Sequence, residues 1–159
     1  MRNLRFIGLD FSGSGSDNTA MICGDYDKKK VSIAKVWTDK KLSFSQRCQH
    51  ITDTYNRNNV DVIFAESNSM GYAYIEVLKN SLKVIPIATT RKSKPRMIQL
   101  IKYHLESNLL DLKLVADTIL PTELIAYASN GQNFGTQNGH DDTVMALAIA
   151  LYGLETLEL

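Results

Sequence analysis

Residues 60–65 are apolar at every position but Asp61, and the run stops on an acid, Glu66. A strand so uniformly apolar has no face to show to water, so it belongs inside a parallel sheet covered on both sides by helices. That single segment therefore points to an α/β layer fold, and the patterns around it are consistent with one. Residues 3–11 carry Leu4, Phe6, Ile7 and Leu9 and end on Asp10 before the turn-rich stretch Ser12-Gly13-Ser14-Gly15-Ser16-Asp17-Asn18. Runs at 19–26 and 30–38, joined by Lys28-Lys29-Lys30 as a solvated turn, predict a meander of three antiparallel strands.

From Ser43 the period changes. Phe44, Cys48, Ile51 and Tyr55 recur at helical spacing, with Ser43 placed to cap the helix and Asn58-Asn59 to end it. A helix over 71–80 leads to a strand over 83–88, where Pro86 marks a bulge or an edge position. Pro95 suits the first turn of a helix that places Ile98, Ile101 and Leu105 on one stripe and runs to about residue 107. A short apolar stretch at 112–115 and a segment started by Pro121 follow. Residues 129–139 hold no charge and Phe134 as their only large apolar side chain, a loop that either tracks a groove, gates a site or merely connects. The last helix spans 141–157, with Val144, Leu147, Ala148, Leu151 and Leu154 as its apolar stripe. The expected architecture is a single α/β domain over 1–159, with a central mixed sheet of about five strands, three antiparallel and then parallel, flanked by helices.

Composition supports one ordinary globular domain: 159 residues, 44% hydrophobic and 22% charged, which excludes disordered and fibrous chains. A chain of this size buries roughly two-thirds of its unfolded surface and needs no disulfide or structural metal for a core. Cys23 and Cys48 show no ligand spacing and read as reduced core thiols, hence an intracellular protein. No apolar run approaches a membrane span, and the N-terminus leads straight into a strand pattern, so the expectation is cytoplasmic with no membrane partner. The net charge of +1 decides nothing about nucleic acid, because a basic patch can hide inside a neutral total.

The acids are more informative. Asp10 closes the first strand, Glu66 closes the apolar strand, and Asp141-Asp142 open the last helix. In an open α/β sheet, sites form beyond the carboxyl ends of the strands, so Asp10 and Glu66 stand side by side if their strands are neighbours. Converging carboxylates repel one another unless a cation sits among them, and hard oxygen ligands suit Mg²⁺ or Mn²⁺. Such a set describes a centre for two-metal phosphodiester hydrolysis. His140 and Ser12 are candidates to orient these carboxylates from behind.

The segments Gly8-Leu9-Asp10-Phe11-Ser12-Gly13-Ser14-Gly15-Ser16-Asp17, Ala65-Glu66-Ser67-Asn68-Ser69-Met70-Gly71, Thr90-Arg91-Lys92-Ser93-Lys94 and Gly139-His140-Asp141-Asp142-Thr143-Val144-Met145-Ala146-Leu147-Ala148 together resemble the nuclease domain of tailed-phage terminase large subunits. The resemblance spans nearly the whole chain. It implies an RNase H-like fold related to RuvC resolvases and a metal-dependent endonuclease that cuts concatemeric double-stranded viral DNA during packaging. It further implies Asp10, Glu66 and Asp142 as the metal-binding and catalytic carboxylates, with Asp141 the rival for the third place. The implied partners are double-stranded DNA, an ATPase motor domain, a small terminase subunit and a portal, in the cytoplasm of the infected bacterial host. A terminase motor carries a GxxxxGK[ST] phosphate loop, and none occurs here. The chain is therefore expected to be a nuclease domain excised from a longer subunit rather than a separate gene product. A RuvC-type Holliday-junction resolvase and a non-catalytic DNA-binding packaging module are the alternatives. An actin-like nucleotide-binding domain also ends its first strand in Asp and a Gly/Ser turn, but needs two such domains to close on its ligand. For DNA contact the basic segment is Arg91, Lys92, Lys94, Arg96 and Lys102, with no acid among them, suited to phosphates rather than bases.

Overall fold

A computed structural model describes residues 3–11, 18–68, 70–129 and 141–157. Strands β1 (Leu4–Asp10), β2 (Thr19–Asp27) and β3 (Lys30–Asp39) form the expected antiparallel meander. Helix α1 (Phe44–Arg57) begins at Ser43, whose hydroxyl accepts the Gln46 N–H while the Gln46 side chain returns to the Ser43 N–H. Then come β4 (Val62–Glu66), α2 (Met70–Leu78), β5 (Val84–Ile87) and α3 (Ser93–Glu106). The chain continues through β6 (Leu110–Asp111), α4 (Ile119–Ser129) and α5 (Asp142–Leu157).

Among the described residues the sheet has six strands in the order β5-β4-β1-β2-β3-β6. The strand beyond the expected five is β6, two residues that pair in parallel with Val31 and Ser32 at the far edge. It lies just before the apolar stretch at 112–115, which instead turns as a short 3-10 helix, Lys113–Val115. So short a strand carries no alternation for a pattern to reveal. Pro86 lies in β5, the opposite edge, where a missing N–H is tolerated.

Strand β1 is the spine, antiparallel to β2 and parallel to β4. Side-chain alternation divides its residues between two cores. Ile7 and Leu9, with Ile63 and Ala65 of β4, pack under α1 and α2 against Ile51, Tyr74 and Leu78. Phe6, with Val62 and Phe64, packs on the other face against α3, α4 and α5. Each such side chain taken fully from water contributes about 1.5–3 kcal/mol.

Two expectations about helix faces are corrected. Helix α5 carries no one-sided stripe: residues 142–151 are all buried, because the helix is sandwiched between the sheet and α3 and α4. On α3 the buried face is Met97, Leu100, Ile101 and His104, while Leu105 is exposed and Ile98 only half-buried. His104 supplies the missing member of that face by bonding its Nδ1 to the Leu100 carbonyl oxygen at 2.8 Å. Cys23 and Cys48 are unpaired and buried, as core thiols. Among the described residues no helix is long and apolar enough to cross a membrane.

Candidate active site

The parallel register of β1 and β4 runs from Phe6–Val62 to Leu9–Ala65, so the next residues along, Asp10 and Glu66, end neighbouring strands side by side. By alternation both point to the face that carries α5, the same face as Phe6, Phe64 and Val62. Their carboxyls are hydrogen-bonded to each other. Burial pushes the Asp10 carboxyl up to about 10, and the hydrogen bond and charge of Glu66, then the charges of Asp142 and Asp141, push in the same direction.

Helix α5 brings the other two acids. The Asp141 carbonyl accepts the Met145 N–H at 2.9 Å and so opens the helical ladder, which makes Asp142 the first residue inside the helix. Asp142 is 8% exposed, Asp141 half-buried, and Asp142 bears on Asp10 more strongly than Asp141 does. The Asn18 N–H, at the entry to β2, donates to Asp142 Oδ2 at 3.4 Å. What lets α5 come this close is Gly8: a Cβ there would lie 2.4 Å from the Ala146 carbonyl oxygen and 2.9 Å from Ala150 Cβ. Gly8, two residues ahead of Asp10, and the first turns of α5 thus share one tight crossing. At the Glu66 end, α2 makes a similar approach, since a Cβ on Gly71 would fall 1.9 Å from the Glu66 carbonyl oxygen. Behind Asp10, the Phe11 ring stacks on Tyr74 at 4.2 Å and 6°, and Arg47 braces that layer by donating to Asp39 Oδ2 at 2.8 Å and the Tyr74 hydroxyl at 3.3 Å.

Among the described residues no three His, Cys, Asp or Glu side chains already close on one point as a metal cage. The arrangement is two carboxyls joined by a hydrogen bond with two more in electrostatic range. All the donors are hard oxygens, and the forced approach of like charges is of the kind a divalent cation relieves. A cavity of about 430 Å³ between α3, α5 and the β2–β3 turn is lined by Tyr26, Lys29, Arg96, Tyr103 and Glu155 and includes none of the four acids.

Of the basic residues, Arg91 and Lys92 are exposed at the start of α3. Thr90 and Ser93 exchange side-chain bonds with each other's backbone N–H, and this turn is tied to the Glu66 strand end through Ser67 N–H to the Ile87 carbonyl and the Asn68 amide to the Thr89 carbonyl. Lys94 is half-buried. Arg96 is engaged by Glu155 of α5, its Nε 3.0 Å from Oε2, and Lys102 lies about three turns along α3 from the Thr90 turn. The structure therefore brings Arg91 and Lys92 toward the carboxylate end and spreads the rest along the helix. Ser12, His140 and the 129–139 stretch past its first residue lie outside the described residues.

Sequence reasoning missed Glu123 and Tyr127 of α4. Glu123 is buried and its Oε1 accepts the Thr143 N–H at 3.2 Å and the Thr143 hydroxyl. Tyr127 is buried beneath the same helix start; burial first, then the Asp141 charge, pushes its phenol up to about 12. The available signal was an acid inside an apolar stripe, Leu120, Glu123, Leu124 and Tyr127, at helical spacing.

Residues 7–153 match the model of a family described as terminase RNase H-like domain. The chain belongs to that family. Among solved structures, this terminase RNase H-like domain is similar to the large terminase nuclease of thermophilic phage G20c with bound magnesium. They share 22% identity at a TM-score of 0.77, over 94% of this chain and 80% of that one. It is also similar to the human cytomegalovirus terminase nuclease domain, manganese-soaked and inhibitor-bound, with 14% identity and a TM-score of 0.62 over 97% and 84% of the two chains. Against the large terminase of bacteriophage HK97 the identity is 9% and the TM-score 0.72, covering 96% of this chain but 40% of that one. No curated protein matches it. The mixed sheet flanked by helices is thus the RNase H-like fold of terminase nuclease domains.

Proposed function

We propose that this terminase RNase H-like domain is a divalent-metal-dependent endonuclease that hydrolyses phosphodiester bonds of double-stranded DNA, cutting concatemeric phage genomes during packaging in the host cytoplasm. The observation that carries the proposal is the convergence of Asp10, Glu66, Asp141 and Asp142 at one end of the sheet, at a cost visible in the raised Asp10 carboxyl. Asp10, Glu66 and Asp142 are the carboxylates that would hold the two ions. Asp142 is preferred to Asp141 because it is the more buried and the nearer in effect to Asp10. Mg²⁺ or Mn²⁺, when bound, supplies a more acidic water and neutralises charge at the leaving oxygen. The chain's own part is to hold the carboxylates rigidly, through β1, β4 and the buried α5, and to place Arg91 and Lys92 where phosphates of the flanking backbone can be gripped. Magnesium in the G20c nuclease and manganese in the cytomegalovirus domain support this choice of ion. The HK97 likeness, confined to 40% of that chain, supports a larger machine around the domain, with an ATPase motor, small subunit and portal as partners.

Supercoiled plasmid incubated with the chain and Mn²⁺ should yield nicked and linear product, and Asp10→Asn should yield neither. Equal cutting by both proteins, or none by the wild type at any Mn²⁺ concentration, would reject the proposal. Strong preference for four-way junctions over linear duplex would reassign the domain to junction resolution.

A further inference from the structure

Glu123 stands where ionisable side chains are rare, 8% exposed on the inward stripe of α4. One of its oxygens receives both the backbone N–H and the hydroxyl of Thr143, a residue with no exposure at all. Thr143 is the second residue of α5, directly after Asp142. The first N–H groups of a helix have no partner within it, and an aspartate at the N-cap ordinarily satisfies the second or third with its own side chain. Here Asp141 occupies the N-cap, yet the second donor is taken by an acid from a different helix. That acid meets the helix start that also carries Asp141 and Asp142. A serine or threonine at the N-cap would close the helix end without a side chain from another helix.

We infer that Glu123 is a positioning residue for the carboxylate centre: by fixing Thr143 from α4 it orients the first turn of α5 so that Asp142 faces Asp10, and it keeps the Thr143 N–H from drawing the Asp141 side chain back onto the helix. The inference rests on the nuclease reading above. Tyr127, one turn further along the stripe, is buried and feels the Asp141 charge. The anchor also makes geometric sense, since α5 crosses β1 at Gly8 only one turn beyond Asp142, and a rotation of the first turn would move that carboxylate without loosening the crossing.

The test compares wild type, Glu123→Ala, Glu123→Gln, Thr143→Val and Thr143→Ser in three measurements: amide hydrogen exchange over residues 143–145, Mn²⁺ binding by electron paramagnetic resonance of the free ion, and plasmid nicking. Glu123→Ala and Thr143→Val should speed exchange in that turn and weaken Mn²⁺ binding by about 10- to 100-fold, with kcat falling and KM for DNA unchanged. Thr143→Ser, which restores the hydroxyl, and Glu123→Gln, which keeps an acceptor oxygen, should stay close to wild type. Faster exchange with wild-type Mn²⁺ affinity and kcat would make Glu123 a helix cap and nothing more, overturning the inference, as would unchanged exchange. If Glu123→Ala fails to fold, Thr143→Val, which removes only the hydroxyl donor at nearly constant shape, decides alone. A wild type that neither binds Mn²⁺ nor cuts DNA refutes the nuclease reading and the inference with it. A wild type that cuts, beside Glu123→Ala and Thr143→Val variants that cut equally well, refutes only the inference.

Discussion

The four acids and the five basic residues are treated by the fold in opposite ways. Asp10, Glu66 and Asp142 come from three elements far apart in sequence, and each is fixed by buried backbone: two ends of adjacent strands and the first turn of a core helix. Arg91, Lys92, Lys94, Arg96 and Lys102 are close in sequence yet spread from the turn before α3 along the helix, and Arg96 is already engaged by Glu155. Like charges on a solvated helix cost little, so their clustering in sequence is weak information. Carboxyls buried against each other are costly to ionise, and the raised Asp10 carboxyl is the trace of that cost.

This contrast can be broken experimentally at several points. The largest effect is expected from Asp10→Asn, which should reduce Mn²⁺-dependent nicking by about a thousandfold or more, given several kcal/mol of charge stabilisation at an ion and roughly tenfold in rate per 1.4 kcal/mol. Without metal the same variant should be the more stable protein at neutral pH. Folded, Asp10 keeps its proton to about pH 10, while the unfolded chain releases it near 3.8. Between those values the native state binds more protons, so this contribution to stability is whole below pH 4 and drains away as pH rises toward 10. Urea midpoints measured in chelator from pH 5 to 9 should fall with pH in the wild type and lose that slope in Asp10→Asn.

Next in size is Gly8→Ala, which places a methyl against the Ala146 carbonyl oxygen. It should cost about 1–3 kcal/mol in denaturant unfolding and lower nicking further than the stability loss explains, because α5 carries Asp142. On the basic side, Arg91→Ala with Lys92→Ala should weaken DNA binding evenly across sequences and reduce the slope of log affinity against log salt by about two. Lys102→Ala should leave that slope nearly unchanged, and an equal drop would show that DNA runs the length of α3. The smallest effect belongs to Arg96→Ala, where loss of the exposed Glu155 pair should cost no more than about 1 kcal/mol in thermal unfolding.

Much of this was legible from local pattern. The apolar run ending in Glu66, the meander before it and the Ser43 cap are all short-range signals, and the elements followed them. Asp10 and Glu66 could be paired in advance because strand ends in an α/β sheet face one region. What escaped was set by packing across distance. The all-round burial of α5 depends on α3 and α4 closing over it, which no single helix pattern states. The buried face of α3 was misjudged because His104 takes a position that polarity assigns to solvent. Glu123 was passed over because its partner lies twenty residues on, across the uncharged stretch, and only the tertiary fold joins them.

The two rims of the sheet have a bearing on how copies of this domain behave near one another. β5 is four residues long with Pro86 in its middle, and β6 is a two-residue strand. The β5 rim, short and lacking the Pro86 donor, gives a neighbouring chain little backbone to zip onto, whereas β6 covers only Val31 and Ser32 of the ten-residue β3. Copies held close together should therefore resist joining sheets through the β5 rim, which leaves the outer side of β3 beyond Ser32 as the edge where another strand could add.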